Sequence, residues 1–336
     1  MPGELVGAQH FDWTGTAIPE PGDGEILVRT LCLSAGPAQR GYLTVGGKGK
    51  SGFLPGVSLG DVMRGRGVGV VERSRHPDFT AGDIFVGMLG WQDYSIQRPR
   101  ADDFVFSGKK VLDPVQPLTT ELGIVGNAGV TAWFGLFDVA RLRAGETVLI
   151  SAAAGGVGSV AGQIARIRGA TRVVGIAGTA DKCRWLTDVL GFDAAINYRS
   201  DDVDARLGEL FPRGIDIFFD NVGGQILDQG LMHLARGARV VICGWISTDY
   251  SAAQLSGPAN YRQLLYKRAS MQGFVVFDYW SRYPEAERDL KAWYRGGRLQ
   301  NCEQVLDGLE QMPLALQNLF TGANRGIMNC RVAPDP

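Results

Sequence analysis

The sequence predicts an α/β protein in which a doubly wound parallel sheet accompanies a smaller, mainly β domain. Two observations predict this fold class. The first part of the 336 residues combines short apolar alternations with frequent Gly and Pro, which is typical of antiparallel strands joined by turns. From about Leu122 onward, short apolar runs alternate with segments of helical period, which indicates parallel strands joined by crossover helices. At roughly 150 residues per domain, the length allows about two domains.

The first domain is predicted to contain short antiparallel strands. Apolar residues alternate in Glu25–Arg29, Val68–Glu72 and Asp83–Gly87. Turn-forming residues separate these runs, as in Pro21–Gly24 and Pro77–Asp78. The pattern predicts a small antiparallel barrel or sandwich.

The second domain is predicted as a regular series of strands and helices. The predicted strands are Thr147–Ser151, Arg172–Ala177, Ala194–Asn197, Ile215–Phe219, Ala238–Cys243 and Met271–Phe277. The predicted helices are Val157–Arg168, Lys182–Leu190, Val203–Phe211 and Gln225–Ala235. Short apolar strands separated by helices predict a parallel sheet covered on both faces. The tail predicts a helix over Cys302–Phe320 and a last strand over Gly326–Val332, and we expect it to pack against the first domain.

The composition argues against several classes of protein. The 34 Lys and Arg nearly balance the 35 Asp and Glu, so a formal net charge of -1 provides no basic field for nucleic acid. No apolar run approaches the roughly 20 residues that span a bilayer, and Met1–His10 lacks the pattern of a signal peptide. We therefore expect a soluble, cytoplasmic protein without nucleic-acid or membrane partners.

The cysteines and histidines are few and scattered. The chain has 5 Cys and 3 His, with no C-x-x-C and no H-E-x-x-H spacing. This distribution predicts neither a disulfide framework nor a metal site, and it favours buried or incidental thiols.

A glycine-rich turn follows the first strand of the second domain and opens an amphipathic helix. It reads Ser151-Ala-Ala-Ala-Gly-Gly-Val-Gly158, so Ala153, Gly155 and Gly158 occupy the three positions of G-x-G-x-x-G. Such a turn lets a pyrophosphate approach the backbone and lie on the N–H groups at the helix N-terminus. Its place within a strand–helix–strand unit predicts a dinucleotide site, and the alternative is a tight turn needed for packing.

The end of the second strand indicates which dinucleotide binds. The chain reads Ala177-Gly-Thr-Ala-Asp-Lys182, so Gly178 stands where an acid would bond the ribose hydroxyls of NAD. Lys182 lies one turn further, where its ammonium can pair with a 2′-phosphate, and Thr179 can donate a hydrogen bond. The sequence therefore predicts NADP(H), and the alternative is a solvent-facing Lys182.

Two later strands end in residues that suit a ligand at the carboxyl edge of the sheet. Asn221, in Asp220-Asn-Val-Gly-Gly224, offers both a donor and an acceptor to ribose or nicotinamide, although a plain turn is the alternative. Cys243-Gly244 ends the next strand, and the loop after it contains Trp245 and Tyr250. We interpret Trp245 as an apolar wall and Tyr250 as a group that orients a carbonyl or relays a proton. A solvent-facing tyrosine is the alternative.

Blocks along nearly the whole chain share the pattern of one family. They are Met63–Gly69, Ser74–Phe79, Gly90–Tyr94, Ala144–Val148, Ser151–Gly158, Asp220–Gly224 and Gly273–Asp278. These blocks resemble the zinc-independent medium-chain dehydrogenase/reductase superfamily, and in particular its leukotriene B4 12-hydroxydehydrogenase and prostaglandin reductase group. The resemblance implies a Rossmann NADP-binding domain over residues 123–300, inserted in a GroES-like, mainly β catalytic domain formed by residues 1–122 and 301–336. It also implies a homodimer and the NADPH-dependent reduction of the double bond of α,β-unsaturated aldehydes or ketones.

The resemblance extends the set of site residues. The predicted cofactor-binding residues are Ala154, Gly155, Gly156, Val157, Gly158, Gly178, Thr179, Lys182, Tyr198, Asn221, Cys243, Gly244, Phe274, Val275 and Asn324. Among them, the resemblance assigns Lys182 to the 2′-phosphate and Tyr198 to the adenosine phosphate. It assigns Asn221 and Asn324 to phosphate, ribose or nicotinamide groups. No metal ligand is predicted, because the Gly-His-Glu block and the four-cysteine lobe of the zinc enzymes are both missing from the sequence.

The chain departs from the family pattern near the expected substrate pocket. The family block Ser-Val-Asp-Pro-Tyr-Met-Arg-Gly becomes Ser34–Gly41, which loses the Asp and places Ala38 where the pocket Tyr is expected. Ile327 replaces a lysine, and Trp245 replaces a residue that is usually small. We assign Ala38 and Trp245 to the substrate pocket.

The mechanism that follows is hydride transfer to the β-carbon of a polarised enone or enal without a metal. A tyrosine hydroxyl, the nicotinamide ribose 2′-hydroxyl or a backbone N–H must then stabilise the negative oxygen. A tyrosine or water protonates the α-carbon. We prefer Tyr250 as the donor, with Tyr42 and Tyr94 as alternates. The sequence leaves open a quinone reductase or alcohol dehydrogenase of the same superfamily, and a non-catalytic NADPH-binding redox sensor or structural protein.

Overall fold

The computed structural model describes residues 5–43, 56–100, 107–248 and 257–336, which form two compact units. The terminal unit consists of the described residues up to Gly126 and those from Glu303 onward. The central unit consists of the described residues from Asn127 to Cys302.

The strands and helices alternate regularly in the central unit and irregularly in the terminal unit. The described strands are β1 Ile26–Ala35, β2 Arg66–Ser74, β3 Ile84–Gly87, β4 Tyr94–Gln97, β5 Lys109–Lys110, β6 Thr147–Ile150, β7 Arg172–Ala177, β8 Ala194–Asn197, β9 Ile215–Asp220, β10 Leu234–Ile242, β11 Ser270–Gly273, β12 Glu303–Asp307 and β13 Ile327–Arg331. The described α-helices are α1 Ala38–Tyr42, α2 Asn127–Phe134, α3 Gly156–Ile167, α4 Ala180–Asp188, α5 Val203–Leu210, α6 Gly224–Met232, α7 Gln263–Lys267, α8 Tyr283–Arg295 and α9 Met312–Thr321.

The terminal unit contains a mainly antiparallel sheet with the strand order β12-β13-β1-β2-β3-β5. Strand β1 pairs along its length with β2, and its other edge pairs first with β4 and then with β13. The neighbours β12 and β13 run parallel. Because β13 lies beside β1, the tail of the chain and its beginning share one sheet.

A β-bulge lets β1 contribute to apolar clusters on both faces of this sheet. Val28 and Leu33 belong to one cluster although their positions differ in parity, and that cluster also contains Met312 of α9 and Cys330. The register with β2 shifts between Thr30 and Cys32, so one extra residue reverses the side-chain alternation. Cys32 faces the opposite cluster, with β2 and β3 residues.

The central unit contains a parallel sheet with the strand order β11-β10-β9-β6-β7-β8. The chain moves outward from β6 through β7 to β8 and then returns to β9 on the other side of β6. The carboxyl ends of β6 and β9 therefore form the topological switch point, where sheets of this kind bind ligands. This arrangement confirms the predicted fold class of a doubly wound parallel sheet combined with a mainly β domain.

Helices on the sheet surface complete the core of the central unit. Leu149 and Phe218 of the sheet pack against Val203 and Leu207 of α5 and against Leu231 of α6. Helix α2 packs against α3 and α8. Among the described residues, none of the helices combines the length and the apolar character needed to cross a bilayer.

Three predicted elements are wrong over part of their length. The predicted helix Gln225–Ala235 ends at Met232, because Leu234 and Ala235 belong to β10. The predicted helix Cys302–Phe320 begins instead as β12, because Glu303–Asp307 pairs with β13, and Gly308 then turns the chain with a left-handed φ of 106°. A 3₁₀ turn over Leu309–Gln311 follows, and the α-helix begins only at Met312, with Pro313 in the first turn. The predicted strand Met271–Phe277 ends at Gly273, because a 3₁₀ helix begins at Val276.

Candidate functional site

The turn between β6 and α3 exposes the N-terminus of a helix. Gly155 is the N-cap, with extended backbone (φ -88°, ψ 179°), and no side chain caps this end. The N–H of Gly155 itself donates to the Ala152 carbonyl at 2.9 Å, which closes the turn. The first N–H groups of a 12-residue helix and its dipole are therefore directed at the same place, which suits an anion.

Close packing explains why Gly158 must be glycine. A Cβ at Gly158 would lie 2.5 Å from the Ala152 carbonyl oxygen and 2.8 Å from the Ala153 Cα. Ala152 has a left-handed φ of 45°, which bends the chain into this contact. The predicted third glycine therefore lets α3 approach the turn closely, which is the role that the third glycine has in a dinucleotide-binding turn.

A second part of the candidate site lies at the end of β7. A Cβ at Gly178 would lie 3.0 Å from Tyr198 Cε1, so the half-exposed Tyr198 ring covers the position where NAD enzymes carry an acid. Thr179 caps α4 by accepting a hydrogen bond from the Lys182 N–H at 3.2 Å, which leaves its hydroxyl proton available to donate. Gly178, Thr179, Lys182 and Tyr198 therefore lie together at this end of the sheet.

Arg199 is a member of this group that the sequence reasoning missed. Its guanidinium lies 5.7 Å from the centre of the Tyr198 ring. Burial lowers the pKa of Lys182, and the nearby charge of Arg199 lowers it further. Asp181 on the same helix as Lys182 pairs with Arg184 instead. Two cations beside a glycine that replaces an acid fit a phosphate dianion, and the signal in the sequence was the basic residue directly after Tyr198.

The switch point is organised by a buried carboxylate. Asp220 ends β9 and is fully buried, and the Ser151 hydroxyl donates to its Oδ1 at 2.6 Å. The N–H groups of Val222 and Gly223 donate to Asp220 at 3.1 and 2.8 Å. Burial raises the pKa of Asp220, and these three hydrogen bonds act in the opposite direction.

Asn221 lies at the same edge, and its side-chain amide donates a hydrogen bond to the protein itself. Its Nδ2 donates to the Ser151 carbonyl at 2.8 Å, and its backbone N–H donates to the Ser151 hydroxyl at 2.8 Å. The side chain is therefore oriented before any ligand binds, with its carbonyl oxygen available as an acceptor.

The loop after β10 continues from the same network. The Cys243 N–H donates to the Asp220 carbonyl at 2.8 Å, and the Ser247 N–H donates to the Val222 carbonyl at 3.1 Å. Burial, with a smaller contribution from the charge of Asp220, raises the pKa of Cys243 to about 12. Trp245, between them, is half-buried, and Gly244 is buried. The predicted donor Tyr250 lies outside the described residues.

Phe274 and Val275 follow the edge strand β11. The Phe274 ring packs near the residue that follows α2, since a Cβ at Gly135 would lie 3.1 Å from its Cζ. Val275 precedes the 3₁₀ helix, in which Tyr279 stacks on Phe134 with ring centres 4.5 Å apart. Both predicted residues therefore belong to a segment that is fixed against the helix layer of the central unit.

The terminal unit holds the remaining predicted residues. Ala38 and Tyr42 lie on α1, where Ala38 is exposed and Tyr42 is buried. Burial raises the pKa of Tyr42, and Arg64, 5.8 Å from its ring centre, opposes the shift. Tyr94 begins β4 and is half-buried. Asn324 is buried and donates to the Gly326 carbonyl at 3.3 Å.

Ile327 stands where the family pattern has a lysine. Its side chain is buried and touches Gly123 so closely that a Cβ there would lie 2.5 Å from Ile327 Cδ1. A charged residue at this position would be desolvated. Within the four described ranges, no group of three or more His, Cys, Asp or Glu side chains is arranged to hold a metal ion.

Two family models match the chain. The model described as zinc-binding dehydrogenase matches residues 156–292. The model described as the N-terminal domain of oxidoreductase matches residues 1–104.

Relatives resemble the chain over most of its length. NADPH-dependent curcumin reductase of Escherichia coli is 39% identical over 97% of this chain and 93% of its own. The NADP(+)-dependent 2-alkenal reductase of Nicotiana tabacum is 39% identical over 92% of this chain and 87% of its own. Prostaglandin reductase 1 of Bos taurus is 36% identical over 94% and 92%.

Solved structures share the fold. The crystal structure of CurA from Vibrio vulnificus in complex with NADPH is 35% identical, with a TM-score of 0.89 over 99% of this chain and 98% of that one. The quinone oxidoreductase of Escherichia coli, complexed with NADPH, is 21% identical with a TM-score of 0.76 over 98% of each chain, so this likeness concerns the fold alone.

Proposed function

The chain belongs to the zinc-independent double-bond reductase group of the medium-chain dehydrogenase/reductase family, and from that premise we propose that it reduces α,β-unsaturated ketones and aldehydes with NADPH. The relatives support this activity, because curcumin, 2-alkenals and, for a relative of Mentha piperita that is 37% identical, pulegone all contain a double bond conjugated to a carbonyl. The protein is thus an NADP-dependent oxidoreductase.

The observation that carries the cofactor assignment is the cationic group at the end of β7. Lys182 and Arg199 lie close enough for one charge to affect the other, beside a glycine in the position of the NAD-binding acid. A 2′-phosphate neutralises both cations, whereas the 2′-hydroxyl of NADH does not. We assign Lys182, Arg199, Thr179 and Tyr198 to this phosphate.

The other cofactor contacts follow from the described geometry and the resemblance. The N-terminus of α3, from Ala154 to Gly158, holds the pyrophosphate. Asn221, Cys243, Gly244, Phe274, Val275 and Asn324 are assigned to the ribose and nicotinamide end on the family resemblance. We further propose that residues 123–300 form the NADP-binding domain and that residues 1–122 and 301–336 form the catalytic domain, with Asn324 of the latter reaching the cofactor.

The reaction places specific demands on this chain. When bound, NADPH supplies the hydride that adds to the β-carbon of the substrate. Negative charge then develops on the carbonyl oxygen, and a hydrogen-bond donor from the protein or from the cofactor ribose must stabilise it. Tyr250, Tyr42 and Tyr94 are the proposed sources of this donor and of the proton for the α-carbon, while Ala38 and Trp245 are proposed to shape the pocket.

The test is a turnover assay with a chemical readout. The purified protein is mixed with NADPH and a panel of enones, enals, quinones and saturated ketones, and NADPH oxidation is followed by absorbance. Product NMR distinguishes the reactions, because double-bond reduction leaves the carbonyl intact whereas an alcohol dehydrogenase converts it. Loss of the olefinic signals with a retained carbonyl supports the proposal. Tight NADPH binding without hydride transfer to any acceptor would instead identify a sensor or structural protein.

We also propose, from the resemblance, that the protein is a cytoplasmic homodimer. An exposed sheet edge supports self-association, because the residues of β11 are exposed and Leu265 and Tyr266 nearby are 76% and 59% exposed. Light scattering coupled to size exclusion measures the mass in solution, and cell fractionation locates the protein. A mass of one chain across the working concentration range would contradict the dimer.

A further inference from the structure

Asp220 is buried too deeply to touch a ligand, yet it joins the strand ends on which the cofactor site is built. Its carboxylate accepts three hydrogen bonds, from the Ser151 hydroxyl and from the Val222 and Gly223 N–H groups. Its own carbonyl accepts the Cys243 N–H at 2.8 Å. A single residue therefore connects the carboxyl ends of β6, β9 and β10.

The contacts of Ser151 close this network. Ser151 is also fully buried, and it receives both the backbone N–H and the side-chain Nδ2 of Asn221. Asn221 is thus held by Ser151, and Ser151 is held by Asp220. The position of the Asn221 amide relative to the start of the phosphate turn depends on the carboxylate.

The carboxylate also shapes the turn that leads into α6. Gly223 and Gly224 adopt left-handed φ values of 70° and 55°, and the Asp220 oxygen bonded to Gly223 N–H stabilises this bend. The Ser247 N–H then donates to Val222, so the following loop is attached to the same turn. A displacement at Asp220 would reach the segment that contains Trp245.

Packing alone does not explain a charged residue at this place. Burying a carboxylate costs free energy that the hydrogen bonds only offset, and an apolar side chain of similar size avoids that cost. The direction of the pKa shift agrees with this cost, since burial dominates and raises it. A costly buried acid at a ligand-binding edge is typical of a functional role.

We propose that Asp220 is a positioning residue that, through Ser151 and the turn Val222–Gly224, fixes the nicotinamide half of the site without touching the cofactor. This inference rests on the proposed function, because it requires that NADPH binds at this edge. The adenosine half, at Gly178 to Lys182, makes none of these contacts and should not depend on Asp220.

The experiment compares variants at the two ends of the same strand pair. Asp220→Asn and Ser151→Ala change the carboxyl end, and Asp216→Asn is the matched control at the amino end. Asp216 accepts the N–H and hydroxyl of Thr147 at 2.9 and 3.0 Å, which repeats the Asp–hydroxyl contact between β9 and β6 away from the edge. Calorimetry measures the Kd of NADPH and of 2′,5′-ADP, which carries the adenosine half alone, and circular dichroism measures Tm.

We expect Asp220→Asn to raise the Kd of NADPH about tenfold and to leave the Kd of 2′,5′-ADP within about twofold. We expect Ser151→Ala to have a smaller effect in the same direction, and the double variant to match Asp220→Asn, because the two side chains act in one network. In turnover with an enone, KM for NADPH should rise more than kcat falls.

Three results would overturn the proposal. The first is unchanged NADPH binding by Asp220→Asn. The second is a loss of NADPH affinity in Asp216→Asn that equals the loss in Asp220→Asn when the two variants have the same change in Tm. The third is an equal loss of affinity for NADPH and for 2′,5′-ADP in Asp220→Asn. If Asp220→Asn does not fold, Ser151→Ala decides alone, and unchanged NADPH binding by it overturns the inference. Failure of the unmodified protein to bind either ligand would instead refute the proposed function.

Discussion

The ring of Tyr198 covers Gly178, with 3.0 Å between its Cε1 and the place that a Cβ at Gly178 would occupy, and 3.1 Å for its hydroxyl oxygen. We therefore expect Gly178→Ala to displace Tyr198 and to raise KM for NADPH several-fold. The matched control is Gly208→Ala in α5, where the nearest side-chain atom lies 3.6 Å from the added carbon. Steady-state kinetics of both variants checks this prediction, and equal KM values for the two variants would contradict it.

Lys182 and Arg199 should determine the preference for NADPH over NADH. Removing either charge, in Lys182→Ala or Arg199→Ala, is expected to lower the ratio of kcat/KM for NADPH to that for NADH by about 10- to 100-fold, since a charge-assisted hydrogen bond contributes about 1.5–3 kcal/mol. The measurement is that ratio at low salt. Arg184→Ala is the control, because Arg184 lies on the same helix and pairs with Asp181. A ratio unchanged in both test variants would show that these residues do not bind the 2′-phosphate.

The lowered pKa of Lys182 predicts a pH dependence. A depressed pKa means that the ammonium, and with it part of the NADPH affinity, is lost at lower pH than for an ordinary lysine. Because Arg199 contributes to this depression, Arg199→Ala should move the alkaline loss of NADPH binding to higher pH. Titrations of Kd between about pH 7 and pH 10 measure the shift. NADH serves as the control ligand. If NADPH binding is lost at the same alkaline pH with and without Arg199→Ala, the coupling between Arg199 and Lys182 is refuted.

Two glycines of α3 should separate binding from stability. Gly158→Ala pushes against the Ala152 carbonyl in the phosphate turn, so we expect weaker NADPH binding. Gly162→Ala pushes against the ring of the buried Phe192 instead, so we expect a loss of about 1–3 kcal/mol in stability with little change in Kd for the folded protein. Thermal unfolding and calorimetry on both variants test this contrast. An equal loss of Tm in the two variants, together with unchanged NADPH binding by Gly158→Ala, would contradict it.

One of three tyrosines should be needed for protonation. We expect one of Tyr250→Phe, Tyr42→Phe and Tyr94→Phe to lower kcat about 10²- to 10⁴-fold while the Kd for NADPH is retained. The exposed Tyr266, on α7, provides the control substitution to Phe. Full activity in all three test variants would exclude a tyrosine as the proton donor and favour water.

The central unit could be predicted in detail because its signals are local. The bounds of β7 and β8 agree with the predicted strands, and the glycine turn before α3 lies where the fingerprint placed it. Period, turn residues and helix caps all depend on neighbours within a few positions, so one sequence suffices for them.

The errors and omissions depend on contacts between distant residues. Glu303–Asp307 becomes a strand because β13 lies beside it, which helical-period reasoning within the tail could not detect. The link between Ser151 and Asp220 spans 69 positions, so the motif that contains Asp220 gave Asn221 as its functional residue. Arg199 was missed for the same reason, since its significance depends on the fold that brings Lys182 near it.

The burial and the pKa values of the thiols affect how fast the proposed substrates can inactivate the protein. The proposed substrates are electrophiles that alkylate thiolates, and a thiol reacts in proportion to its ionised fraction. Cys32, Cys302 and Cys330 are buried, while burial raises the pKa of the more accessible Cys183 and Cys243. Burial thus shields three thiols, and the raised pKa values of Cys183 and Cys243 keep these two largely protonated at neutral pH, so we expect the proposed substrates to alkylate the protein slowly.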